Sequence, residues 1–344
     1  MSEEDNLQDT NAASPATALG QLISGSEGIQ LVYVAAKLGI ADLLKDGPRG
    51  SDELAKSVGA HPRTLYRVLR ALATLGVFAE NNNGTFELTP LSELLQTGVP
   101  ESLRSAAIMN GEEWIWRPWG ELIHSVRTGK PAFDHIFGMP AFEYLAKNPE
   151  AGNTFAEIMT DATMWEGPSI LDAYDFSGIT TIVDVGGGHG SLIAAILKAY
   201  PQMNGILADM PFLIEGAKGL IESEGIADRC ELVALDFFES VPHGGDAYIL
   251  KRIIHDWEDE KAITILKNCH RAMADDARLL LVEQVIPAGN EPHPGKVADI
   301  FMLLFGGVKR TGEEYEALLN AAGFELANIH PTESEMSVIE GVPA

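Results

Sequence analysis

The sequence predicts an α/β fold, a doubly wound parallel sheet preceded by a helical domain that contains a winged helix. Three observations carry this expectation. Thr181-Ile-Val-Asp-Val-Gly-Gly-Gly-His-Gly-Ser191 reads as strand, glycine turn and helix start. Apolar runs and amphipathic stretches then alternate to the end of the chain. Ahead of them, two short helical patterns are followed by Gly76-Val-Phe78 and Thr85-Phe-Glu-Leu88, which flank Asn81-Asn-Asn-Gly84. That order is a helix-turn-helix with a hairpin.

The chain has 344 residues, enough for two domains, with 46% hydrophobic and 22% charged residues. A formal net charge of -26 repels nucleic acid and anionic membranes. No apolar run reaches the length of a membrane span. The start, Met1-Ser-Glu-Glu-Asp5, lacks the basic and apolar regions of a signal peptide. Cys230 and Cys269 are too few for a disulfide framework and read as buried reduced thiols. A cytoplasmic protein is therefore expected.

Residues 1–15 are polar and are expected to be a disordered tail. Ala16 to Leu44 is helical by pattern, punctuated by Gly39 and Gly47-Pro48. Its apolar residues occupy more than one face, which suits core packing or a subunit interface. Ser51–Val58 and Arg63–Leu75 are the paired helices of the winged helix, a domain assigned to residues 16–98. Arg63, Arg67 and Arg70 line one face of the second helix. The acidic chain and the lack of a basic wing argue against DNA binding and for dimerisation or covering a site. Residues 99–175 are helical and rich in Trp, Phe and Met, suited to a core or a pocket for a flat apolar ligand. His124 and His135 read as packed or surface histidines.

Residues 176–344 form the sheet domain. Strands are expected at Thr181–Val185, Gly205–Asp209, Glu231–Leu235, Asp246–Leu250, Arg278–Glu283, Leu326–His330 and Met336–Glu340. Helices include Glu260–Met273 and Gly312–Ala322. Ligands of such sheets sit beyond the carboxyl ends of the strands. The residues at those ends are Gly186, Asp209, Asp236, Lys251 and Glu283. Glycine loops of this kind admit close backbone approach, and a following helix start favours a polar or anionic group. Asp209, past the next apolar run, is placed to accept from ribose hydroxyls. The ligand is therefore a nicotinamide dinucleotide or S-adenosylmethionine (SAM). Ser191, where a third spaced glycine would stand, leans away from the dinucleotide.

His255 follows the fourth strand in Lys251-Arg-Ile-Ile-His-Asp-Trp257. A loop histidine at a strand end suits general base work, because imidazole titrates near neutrality. Glu283 is placed to orient it. Asp256 is nearer in sequence, but adjacent side chains usually point apart. The histidines show no metal-ligand spacing, and no Cys-x-x-Cys, nucleophile elbow or Walker loop occurs.

Val183-Asp-Val-Gly-Gly-Gly-His-Gly190, Asp209-Met-Pro211, Asp236-Phe-Phe238, Leu250-Lys-Arg-Ile-Ile-His-Asp-Trp257 and Gly306-Gly-Val-Lys-Arg-Thr311 resemble the SAM-dependent O-methyltransferases of the caffeate, hydroxyindole and bacterial phenazine or polyketide type. The resemblance covers nearly the whole chain. It implies a Rossmann-like class I methyltransferase domain, a homodimer with exchanged N-terminal helices, and no metal. It implies that Gly186 and Gly188 hold the amino acid end of SAM, that Asp209 binds the ribose, and that Asp236 and Phe237 flank the adenine. Lys251 would contact the cofactor, His255 would deprotonate a phenolic hydroxyl, and Glu283 would support that histidine. Met159 and Met302 match positions that pack on an aromatic acceptor. S-adenosylhomocysteine would be the second product.

Lys309 departs from the resemblance. Many relatives carry Glu at this place in Gly-Gly-x-Glu-Arg-Thr, as a second carboxylate beside the histidine. A lysine there brings a positive charge to the imidazole instead. The expectation is a methyltransferase acting on an aromatic small molecule. A SAM-binding enzyme of the same fold that does not transfer methyl is the alternative. A ligand-responsive DNA-binding regulator and a dehydrogenase are the more distant readings.

Overall fold

The computed structural model describes residues 14–99 and 101–344. Of the expected tail, residues 1–13 lie outside them. The described chain divides into two compact units, Met1–Ile115 and Trp116–Ala344.

The first unit is mostly helical. Helix α1 (Pro15–Lys37) starts with proline in its first turn and Ser14 as cap, whose Oγ accepts from the Thr17 amide at 3.1 Å. The helical stretch to Leu44 is punctuated at Gly39, which takes φ +64°, and continues as α2 (Ile40–Leu44). A left-handed residue ends the first hydrogen-bond ladder and starts the second. Leu19, Leu22 and Ile23 on α1 are 59%, 79% and 72% exposed, so this apolar stretch is largely uncovered among the described residues. Further along, α6 (Arg104–Gly111) packs on α1, and a Cβ at Gly111 would overlap the Tyr33 ring.

Between them come β1 (Arg49–Gly50), α3 (Ser51–Val58), α4 (Pro62–Thr74), β2 (Phe78–Glu80), β3 (Thr85–Leu88) and the short α5 (Pro90–Glu93). Leu65, Leu69 and Leu72 of α4 are buried, in accord with their spacing. Asn81 Oδ1 accepts from the Asn83 and Thr85 amides at 3.0 and 3.2 Å, which closes the hairpin turn. Strand β1, absent from the sequence expectation, pairs with β3 to give the order β1-β3-β2. Two residues carry no periodicity to read.

Five further helices precede the large sheet: α7 (Glu113–Gly120), α8 (Leu122–Thr128), α9 (Ala132–Phe137), α10 (Ala141–Lys147) and α11 (Pro149–Ala173). The second unit continues with β4 (Thr181–Val185), α12 (Ser191–Ala199), β5 (Asn204–Asp209), α13 (Pro211–Ser223), β6 (Cys230–Ala234), β7 (Ala247–Lys251), a 3-10 turn (Ile254–Asp256), α14 (Asp259–Ala272), β8 (Arg278–Glu283), α15 (Pro294–Phe305), α16 (Gly312–Ala322), β9 (Phe324–Pro331) and β10 (Ser337–Pro343).

The sheet order is β6-β5-β4-β7-β8-β10-β9. The first five strands are parallel. The doubly wound parallel sheet expected from the sequence is present, and at its edge β10 runs antiparallel to both β8 and β9. The two last strands follow one another with a short connection, which only an antiparallel pair allows. One apolar core packs on the face of α12 and α13, and another on the face of α14 and α16. Chain order reverses between β4 and β7. That switch point opens the crevice in which ligands of doubly wound sheets bind.

Candidate active site

The glycine loop leaves β4 with Gly186 at φ +74°, Gly188 at φ +59° and Gly190 at φ +83°. Side chains strain that backbone. Gly188 lines a cavity, and a Cβ there would meet no protein atom within 4 Å, so its backbone is bare towards the cavity. Asp209, at the end of β5, fixes the loop. Its Oδ2 accepts from the Gly188 amide at 2.7 Å and its Oδ1 from the Met210 amide at 2.6 Å. Asp184 lies beneath the loop, 1% exposed, with neither carboxyl oxygen in a hydrogen bond of good geometry. Burial, with the nearby Asp209 charge, pushes its carboxyl up to about 7, partly offset by Lys251.

The cavity measures about 600 Å³. Gly186, Gly188, Asp209, Asp236, Phe237, Lys251 and Met159 all line it. Seven positions named from the sequence therefore meet in one place. The Asp236 carboxylate is held by the Phe238 amide at 2.8 Å. Aromatic residues of the wall include Phe142, Phe155 and Trp257, and Phe142 stacks on Trp257 with centroids 5.4 Å apart. Such walls suit a flat apolar ligand.

Lys251 is tied to α11. Its Nζ donates to Thr163 Oγ1 at 2.9 Å and pairs with Glu166 Oε2 at 2.9 Å. Arg252 forks onto the same carboxylate from a left-handed backbone, φ +58°. Burial would raise the Glu166 carboxyl, but the charges of Arg252 and Lys251 hold it below the usual range. Burial lowers the Lys251 ammonium, opposed by Glu166.

His255 sits on the 3-10 turn, 5% exposed, and is not part of the cavity wall. The turn is pinned from the segment after α15. The Val308 amide donates to the His255 carbonyl at 2.8 Å, and Arg310 Nη1 donates to the Ile254 carbonyl at 3.2 Å. Gly307 is required there, because a Cβ would overlap the His255 carbonyl. Nδ1 of His255 bonds the fully buried Glu283 Oε2, while Glu283 Oε1 accepts from the His255 amide at 3.2 Å. Against the effect of burial, His255 and Lys309 hold the Glu283 carboxyl below its usual range.

The Nε2 atom lies 3.4 Å from Asp256 Oδ1, and Asp256 lines the cavity. The expectation that these neighbours point apart is thus incorrect, because the tight 3-10 turn folds both to one side. Burial pushes the Asp256 carboxyl up to about 6, with His255 opposing. Lys309 Nζ reaches His255 Nδ1 at 3.2 Å. Met302, on α15, is half-buried and stands outside the cavity wall.

Sequence reasoning passed over Asp184, Arg252 and Asp256 as site residues, although all three lie in the two motifs it singled out. Glu166 gave no signal beyond its place three residues after Thr163 on a long helix.

Comparison with known proteins resolves the identity. Residues 119–325 match an O-methyltransferase domain, and residues 21–98 match an O-methyltransferase dimerisation domain. The chain belongs to the SAM-dependent O-methyltransferase family. It is similar to a phenazine O-methyltransferase of Lysobacter antibioticus, 46% identical over 324 residues that cover 94% of this chain and 95% of that protein. The crystal structure of LaPhzM superposes with a TM-score of 0.92 at 45% identity, covering 96% of this chain and 99% of that one. An O-methyltransferase of neocarzinostatin biosynthesis, solved with SAM and 2-hydroxy-5-methyl naphthoic acid, gives 0.83 at 31% identity, with 92% and 96% covered.

The cofactor of this methyltransferase is SAM. Its cavity fits that group. The buried Asp184 carboxyl suits a cationic ligand, the bare backbone at Gly188 admits close contact, and Asp209 and Asp236 keep lone pairs for hydroxyl and amino donors. No helix among the described residues is long and apolar enough to cross a membrane.

Proposed function

We propose that this enzyme transfers methyl from SAM to a hydroxyl of an aromatic or polyketide-like small molecule, with His255 as general base. The observation that carries the reading is the placement of His255. Its Nδ1 is fixed by Glu283, and its Nε2 is turned towards Asp256 at the cavity wall. With Nδ1–H donated to the carboxylate, Nε2 keeps the lone pair that accepts the acceptor's proton. Glu283 then stabilises the imidazolium, the role of the orienting carboxylate in catalytic triads.

Gly186 and Gly188 would hold the amino acid end of the cofactor, with Asp184 beneath them as counter-charge. Asp209 would take the ribose hydroxyls, Asp236 and Phe237 would flank the adenine, and Lys251 would close the β7 side. When bound, SAM supplies an electrophilic sulfonium methyl and leaves as S-adenosylhomocysteine. The protein contributes proximity, exclusion of water by the aromatic wall, and proton acceptance at Nε2. Met159, which lines the cavity, would pack on the acceptor ring; Met302, expected beside it, is not among the lining residues.

The dimerisation-domain match and the exposed Leu19, Leu22 and Ile23 support a homodimer in which residues 16–98 serve association. Residues 99–175 would supply the acceptor side and 176–344 the cofactor side. Reduced, buried Cys230 and Cys269 accord with a cytoplasmic enzyme.

The test is incubation with methyl-labelled SAM and a library of phenols, naphthols and amines, read by mass spectrometry. An oxygen-methylated product is expected. A nitrogen-methylated product would assign the other methyl acceptor, and cofactor binding without any labelled product would favour a non-methylating enzyme of the same fold.

A further inference from the structure

The buried surroundings of His255 hold one group that methyl transfer does not require. Lys309 is 4% exposed, and its Nζ lies 3.2 Å from Nδ1 of His255, a close approach of two donors once that nitrogen gives its proton to Glu283. No carboxylate of the described residues lies within 4.0 Å of that Nζ, whereas Lys251 and Arg252 nearby share Glu166. The lysine is held in place by its own backbone. Its amide donates to Asp299 Oδ1 of α15 at 2.7 Å, and the next residue, Arg310, is anchored on Asp259.

The charged groups around the imidazole are few. Glu283 faces it from the end of β8, Asp256 from its own turn, and Lys309 from the segment after α15. Arg252 and Glu166 act on this cluster from behind, and Tyr315 of α16 lies near Glu283. A base that accepts a proton becomes a cation. Here that cation would form 3.2 Å from an ammonium that burial keeps from the screening of water. Burial also favours the neutral lysine, opposed by Glu283, so the pair resists carrying two protons in excess.

We propose that Lys309 is a positioning residue that weakens His255 as a base and so restricts the enzyme to acceptors with acidic hydroxyls. Phenols conjugated to a carbonyl or nitro group, hydroxyquinones and hydroxylated nitrogen heteroaromatics belong to this class. Their oxygen gives up its proton near neutral pH, so a weak base suffices. Ordinary phenols demand a base that this pair does not provide. The inference rests on the methyl-transfer reading and adds the substrate class to it.

Two measurements test it on the full-length protein, comparing wild type with Lys309→Met and Lys309→Glu. The first is kcat/KM for 2-naphthol and for 1-nitro-2-naphthol, a flat pair that differs in hydroxyl acidity. Intrinsic reactivity cancels when the ratio of the two is compared between proteins. The ratio is expected to move towards 2-naphthol by at least about tenfold in Lys309→Met and further in Lys309→Glu. The second is NMR titration of the His255 ring with S-adenosylhomocysteine bound, where imidazolium is expected to persist to higher pH in both variants. Should Lys309→Glu not fold, Lys309→Met carries both readouts. An unchanged titration in the variants, or a ratio within about twofold of wild type, overturns the proposal. Methylation of no acceptor in any protein, with the titration still moving, overturns the methyl-transfer reading and leaves the coupling of the two residues standing.

Discussion

A Cβ placed on Gly187 would run into the buried carboxyl of Asp184, and also into the Leu207 side chain. The second glycine of the loop is therefore a packing requirement, distinct from the left-handed needs of Gly186 and Gly188. Neither neighbour can move far, because Leu207 is fully buried in β5 and Asp184 in β4. Gly187→Ala should destabilise the protein by ~2 kcal/mol, as overpacking typically does. It should also weaken SAM binding about tenfold by displacing the loop. Denaturant unfolding and calorimetry check both.

Asp184 itself should leave a signature in the pH dependence of stability. Its carboxyl is raised from 3.8 to about 7, so the folded protein keeps the proton after the unfolded chain has lost it. The contribution is fully present below the unfolded value and is lost as pH rises through about 7. Relative to Asp184→Asn, the cofactor-free wild type should lose on the order of 4 kcal/mol between about pH 4 and about pH 8. Parallel unfolding curves for the two proteins across that range would contradict the assignment.

Glu166 shows the opposite sign. Its carboxyl is held low by Arg252 and Lys251 despite burial, so its stabilising effect is present above the unfolded value and lost as pH falls through the folded one. Glu166→Gln leaves two partly buried cations without the carboxylate they share. A loss of ~3 kcal/mol at neutral pH is expected, which should shrink as the solution is acidified. Urea midpoints at two pH values check it.

Much of this was legible in the sequence, for reasons that differ by element. Thr181–Val185 and Arg278–Glu283 are central strands buried on both faces, so their apolar runs stand out. The glycine loop, Asp209, Asp236 and Lys251 were legible because strand ends in a doubly wound sheet converge on one crevice. The place of β10 between β8 and β9 was not legible, since which strands become neighbours is set by tertiary packing and not by composition. The punctuation at Gly39 was legible because glycine readily takes the left-handed backbone that ends a helix. Asp256 was misplaced because the 3-10 turn, which bends the chain within three residues, carries no periodicity of its own. Glu166 was missed because its partners lie 85 and 86 residues onward, at Lys251 and Arg252.

Glu283 Oε2 bonds Nδ1 of His255, and in the proposed mechanism this fixes the tautomer. Glu283→Gln retains the shape but offers either an oxygen or an amide to that nitrogen, and removes the charge that balances imidazolium. A fall in kcat of roughly 10²-fold with little change in KM is expected, by analogy with the orienting carboxylate of triads. Steady-state kinetics with one acceptor checks it.

Release of S-adenosylhomocysteine measures most directly the proposed methyl transfer with His255 as base. Purified wild type and His255→Ala would be incubated with SAM and a mixed library of hydroxylated aromatic acceptors. The predicted result is acceptor-dependent release by the wild type that falls by roughly 10²- to 10⁴-fold in the variant, with SAM still bound by both. Equal release by the two proteins would contradict the assignment and move the base to Asp256, the carboxyl that lines the cavity 3.4 Å from His255 Nε2.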